Sequence, residues 1–103
     1  MSAAPGAIPG GSLLSWYDEH RVGDVALYDI TRQAASVLSA TLLERKRAAP
    51  EGLQREHWAA RRRLVRQQVE ALDPADRPGL VAQQQAWADE IQALQVGLAR
   101  LGA

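Results

Sequence analysis

The side chains of this 103-residue chain that could do chemistry are few: two histidines, twelve acidic and twelve basic residues, and no cysteine. The missing cysteine excludes a disulfide scaffold, a thiolate metal site and a cysteine nucleophile. His20 and His57 each stand without a second ligand at metal-binding spacing. Glu56 and His57 are adjacent, so on a helix they point about 100° apart and cannot clamp an ion or work as a pair. No Glu-x-x-His, His-Glu-x-x-His or glycine-rich phosphate loop occurs, and Gly10-Gly11 reads as flexible tail rather than a phosphate cradle. The expectation is a non-enzyme with no catalytic residue, no metal and no cofactor.

Two constellations point instead to binding. Trp16-Tyr17-Asp18-Glu19 joins two aromatic residues to two acids, and Asp24, Tyr28 and Asp29 follow within the next turns. Tryptophan and tyrosine are the residue types that anchor interfaces. Beside carboxylates they suit a groove built for phosphates or nucleotides. Trp58 and Trp87, by contrast, fall on apolar stripes and read as core. The other constellation is basic. From Arg32 to Arg66 the chain holds nine basic and three acidic residues, while the segments on either side are each net −3. The overall neutrality therefore hides a basic middle between acidic ends. Arg62, Arg63 and Arg66 are the candidates for phosphate contact there, since such contact needs clustered charge. No helix-turn-helix pattern or aromatic-studded basic strand accompanies them, so nucleic acid is the less favoured partner. Pairing of the acidic ends with these arginines inside the fold is the bland alternative.

The elements that must position these residues read as helices throughout. Alanine, leucine, arginine and glutamine dominate, phenylalanine is absent, and no stretch alternates apolar and polar residues as a half-buried strand would. Residues 1–12 read as a flexible Ala/Pro/Gly tail, and 13–103 as one helical-bundle domain. Ser15 to Asp18 resembles a capping box from which a short helix could start. Gly23-Asp24 favours a break before a first main helix over Asp24–Ala48, which Pro50 must end. A second helix is expected from Pro50, in its first turn, to Leu72. Its stripe runs through Leu53, His57 or Trp58, Ala60, Leu64, Val65, Val69 and Leu72. A third starts at Pro74 or Pro78 and carries Leu80, Gln84, Trp87, Ile91, Leu94, Leu98 and Leu101 at alternating four- and three-residue spacing, a heptad seam. Three helices of this length with short connections predict an all-α, three-helix antiparallel bundle. Leu27, Ile30, Val37, Leu38, Leu64, Val65, Trp87, Ile91, Leu94 and Leu98 are expected to be buried together. The runner-up is an open hairpin that forms a homo-oligomer through the third helix.

No apolar run approaches the roughly 18 residues that span a bilayer, and no basic and apolar leader opens the chain. The reading is cytoplasmic, with no membrane partner. Taken with Trp16-Tyr17-Asp18-Glu19, the Asp24–Leu43 helix and the third-helix heptad, the plan resembles the small three-helix antitoxins of toxin–antitoxin pairs. Nearest in plan are the epsilon-type partners of zeta toxins. That resemblance implies an inhibitor that neutralises a toxin at a phosphate- or nucleotide-binding cleft, with the acidic, aromatic amino-terminal segment as its plug. The alternatives are a nucleic-acid accessory protein using the arginine-rich helix and a helical assembly subunit.

Overall fold

A computed structural model describes residues 12–102, which form four helices: α1 (Ser12–Glu19), α2 (Asp24–Ala48), α3 (Leu53–Glu70) and α4 (Arg77–Gly102). Among the described residues there is no strand, and no helix is long and apolar enough to cross a membrane. The expected three helices are thus joined by a fourth, α1. The expected tail, residues 1–11 with Gly10-Gly11, lies outside the described residues, but Ser12 belongs to α1 rather than to it. Ser15 consequently sits inside α1, where it cannot serve as the anticipated cap.

Local chemistry accounts for each boundary. Arg21 takes a left-handed conformation (φ 53°), Val22 N–H reaches Tyr17 O at 3.0 Å and Arg21 N–H reaches Asp18 O at 3.1 Å. This is a Schellman ending, in which a left-handed residue lets the last carbonyls find donors. The chain then restarts from Gly23, whose extended backbone stands at the N-cap of α2, so Asp24 is the first helical residue and not the cap. α2 stops at Ala48 as expected, because Ala49 precedes a proline and is held extended (ψ 144°). Pro50 does not open α3. Gly52, at φ 87° and ψ −131°, breaks helical geometry after it, and α3 begins only at Leu53. Between α3 and α4, Asp73 accepts the Ala75 N–H (2.9 Å) in a side-chain turn. Asp76 then caps α4 by accepting the Gly79 N–H (3.1 Å).

α2 is the centre of the packing. α3 runs antiparallel along one flank of it and α4 parallel along another, while α1 rests on α4. The three long helices therefore go up, down and up. α3 and α4 do not meet along their backbones. They are linked by side chains: Trp87 Nε1–H donates to Gln68 Oε1 (3.3 Å), and Arg61 holds both carboxylate oxygens of Glu90 (2.6 and 2.7 Å). The result is broad and thin, 47 × 36 × 16 Å, with a radius of gyration of 15.6 Å where a compact chain of this length has about 13 Å.

Two neighbouring clusters make the core. One gathers Ala35, Leu38 and Leu42 of α2 with Val65 and Trp87, and Trp58, Ile91 and Leu94 pack against it. The other gathers Tyr17, Leu27, Leu80 and Val81. Leu72 touches both. Of the residues expected in the core, Ile30 is 38% exposed, Val37 42% and Leu64 39%, and Ile91 and Leu94 are only partly buried. On α2 the buried line runs through Leu27, Thr31, Leu38, Thr41 and Leu42, and Ile30 and Val37 lie on its edge. Thr31 fits the apolar line because its hydroxyl donates back to Leu27 O (2.9 Å). On α3 the expected stripe was too wide to be buried whole. Trp58, Val65 and Val69 face inward, as does Leu72 just past the end of α3 at Glu70, short of the expected end at Leu72, whereas Leu53, His57, Ala60 and Leu64 are exposed. The side chains of Leu98 and Leu101 lie outside the described residues.

Candidate functional site

The amino-terminal residues singled out above come together where α1, the start of α2 and the start of α4 meet. Tyr17 is buried, only 6% exposed, among Leu27, Leu80 and Val81. Its hydroxyl donates to Gln84 Oε1 (3.1 Å) and accepts from Gln84 Nε2 (2.7 Å). Tyr17 therefore lies inside the core, which corrects the expectation of a surface anchor: it is the bolt that holds α1 to α4. Asp18 and Asp24 are likewise engaged within the fold. Arg77 donates to Asp18 (2.8 Å), to Asp24 (2.8 Å) and to the Val22 carbonyl (2.8 Å). These contacts raise the Arg77 pKa further above its ordinary value, the Asp24 hydrogen bond first and the Asp18 hydrogen bond second. Because the folded value is the higher one, the guanidinium side of the clamp keeps its charge until pH rises through the arginine range.

What this corner leaves outward is Trp16, 47% exposed, with the His20 ring stacked on it at 4.0 Å between centroids. His20 is itself fixed, its Nδ1 proton donated to the Trp16 carbonyl (2.8 Å). Glu19 and Asp29 are exposed and make no ion pair among the described residues. Tyr28 is half-buried, its ring beneath the Arg32 guanidinium at 5.7 Å. The corner is thus a short helix docked at several points, carrying one projecting indole and the exposed Glu19 carboxylate, with Asp29 exposed on α2.

The arginines separate in space. Arg61 bonds Glu90 of α4 and Arg63 bonds Glu56 about two turns back along α3 (3.0 Å). Arg62 and Arg66 turn the other way, into a groove of about 460 Å³ between α2 and α3. There Arg32 of α2 faces them, a residue the arginine run alone did not single out. The signal for it was its place at the head of the basic middle segment. Arg62 Nε–H donates to the Ser39 carbonyl (3.3 Å). A wider cleft of about 630 Å³ lies at the α2–α3 tip, where Trp58, His57 and the 90% exposed Leu53 meet Arg45. Trp58 is not sealed in the core as expected but half-buried under the Arg45 guanidinium, 5.0 Å from its ring centre.

Two residues on which the corner depends, Gln84 and Arg77, were not among the sequence candidates. Gln84 did carry a signal, as the polar member of an otherwise apolar heptad seam. Among the described residues no cluster of three or more His, Asp or Glu side chains is arranged to hold a metal. No family model, curated protein or solved structure matches the chain, and the reading of these surfaces rests on their own chemistry.

Proposed function

We infer that the chain is a non-enzymatic binding module that neutralises a partner protein, as the small helical antitoxins do, through the outer face of α1 and the adjoining start of α2. The observation that carries the reading is the presentation of Trp16. A tryptophan almost half exposed is an interface residue type in an interface setting. Its helix is secured by Tyr17–Gln84 and by the Arg77 clamp, so little conformational freedom is lost when a partner closes on it. Glu19, three residues on along the same helix, and Asp29 in the first turns of α2 favour a basic cleft, of the sort that handles phosphates, and act chiefly on encounter rate and register. Tyr17, Asp18 and Asp24 contribute by holding this surface and not by touching the partner.

The experiment is co-purification from the native cell, identification of the bound protein, and inhibition measured with variants. Trp16→Ala should weaken inhibition by at least about tenfold, the loss of roughly 1.4 kcal/mol of binding. Glu19→Gln with Asp29→Asn should slow association and lessen its salt dependence. Gln92→Ala, exposed on α4, should leave inhibition unchanged. Full inhibition by a folded Trp16→Ala chain would sink the reading.

A further inference from the structure

The groove between α2 and α3 has no part in the reading above, and it is built for something. Its walls carry three guanidinium groups, Arg32 from α2 and Arg62 and Arg66 from α3, and no carboxylate lines it. None of the three forms an ion pair among the described residues, in contrast to Arg61, Arg63 and Arg77. Two of them are held in place, Arg32 over the Tyr28 ring and Arg62 on the Ser39 carbonyl. Between these cations the lining is apolar or small: Ala35, Ala40, Leu43, Val65 and Val69, with Ser36 and Ser39. Among the described residues only α2 and α3 line it, and α4 does not reach it.

From this combination we propose that the α2–α3 groove is the docking site for an acidic amphipathic helix of a partner protein. The small side chains of α2 let a third backbone approach closely. The apolar floor takes the hydrophobic stripe of the incoming helix, as in other helix-in-groove complexes. Arg62 and Arg66 are one helical turn apart, which is the spacing of carboxylates at i and i+4 on a facing helix. Arg32, on the opposite wall, brackets such a helix from its other flank. A single-stranded nucleic acid would call for aromatic stacking partners between the cations, and the groove lining has none. The proposal stands independently of the Trp16 surface.

The test uses the full chain and a labelled peptide of about 15 residues, near the length at which isolated helices become stable. The peptide has leucines along one stripe and glutamates four residues apart flanking it. Fluorescence anisotropy should report saturable binding that weakens as salt is raised. Arg62→Gln with Arg66→Gln should reduce affinity by at least about tenfold, the scale of one lost charge-paired contact. Ala40→Trp, which fills the groove at an exposed position without altering charge, should do the same. Arg63→Gln and Trp16→Ala should have no effect, which separates this site from the one proposed above. Circular dichroism confirms that each variant is folded. The proposal is overturned by absence of saturable binding, by equal affinity for a peptide with lysine in place of glutamate, or by retained affinity in the folded double arginine variant. It is also overturned if short duplex DNA or single-stranded RNA binds the groove more tightly than the peptide and responds to the same arginines.

Discussion

Tyr17 carries more of this fold than its position near the amino terminus suggests. Its hydroxyl and the Gln84 amide satisfy each other inside the second core cluster. Tyr17→Phe keeps the ring in place but leaves the Gln84 amide without its partner, a cost of about 1–2 kcal/mol. Chemical denaturation should report that loss with an unchanged slope. Arg21 offers the opposite sign. As a non-glycine residue at φ 53° it bears a left-handed strain of about 1 kcal/mol, which Arg21→Gly relieves while adding some freedom to the unfolded chain. The expected outcome is a rise in melting temperature, and a clear fall would show that the Arg21 side chain contributes something the backbone argument omits. The helix end near Arg21 was legible in the sequence, but the long-range partners of this corner were not. Tyr17 meets Gln84 across 67 positions and Arg77 meets Asp18 across 59, so no local pattern signals either pair. What local pattern did offer was an aromatic beside acids, which has the same appearance whether it points out or in.

At the scale of elements, the local signals worked where the chain has only one way to obey them. Pro50 forces Ala49 out of the helical region, and α2 ends where that rule places it. The heptad of α4 held for the residues described: Leu80 and Trp87 are buried and Ile91 and Leu94 pack against the core. The rules were insufficient where two were in competition. A proline can open a helix, but Gly52 sits two residues later in a conformation that essentially glycine alone adopts, and it delays α3 to Leu53. Open space surrounds Gly52, so Gly52→Ala would meet no clash and its effect would be backbone strain alone, about 1–3 kcal/mol of lost stability. Gly23, extended at φ −72° and also unobstructed, should accept serine with a gain of a few tenths of a kcal/mol, about what a side-chain cap adds over glycine. A thermal-melt comparison of the two substitutions checks both signs at once. The α3 stripe was misjudged for a different reason. Its apolar residues cover more of the helix than one neighbour can bury, and sequence does not say that α4 stands off from it.

At the scale of the whole molecule, the two core clusters cooperate through a narrow join. Leu72 is the hydrophobic residue packed against both. A domain of this size should unfold as a single unit. In a Trp16→Phe background the remaining tryptophans, Trp58 and Trp87, report on the cluster around Leu38 and Leu42 while far-UV circular dichroism reports on all helices. The two probes should give coincident transitions in the parent and separate ones in Leu72→Ala, with the α1 end melting first. Coincident transitions in that variant would mean that α2 alone transmits cooperativity. The arrangement around α2 also bears on how the chain can change over generations. Because α3 and α4 each lean on α2 and only their side chains reach each other, a substitution on α2's inner face is tested against two neighbours at once, whereas one on α3 or α4 is tested mainly against one. Random variation should therefore be tolerated least along Leu27, Thr31, Ala35, Leu38 and Leu42 and most along the outer side of α3, so that drift would erode the flanks of this protein long before its middle helix.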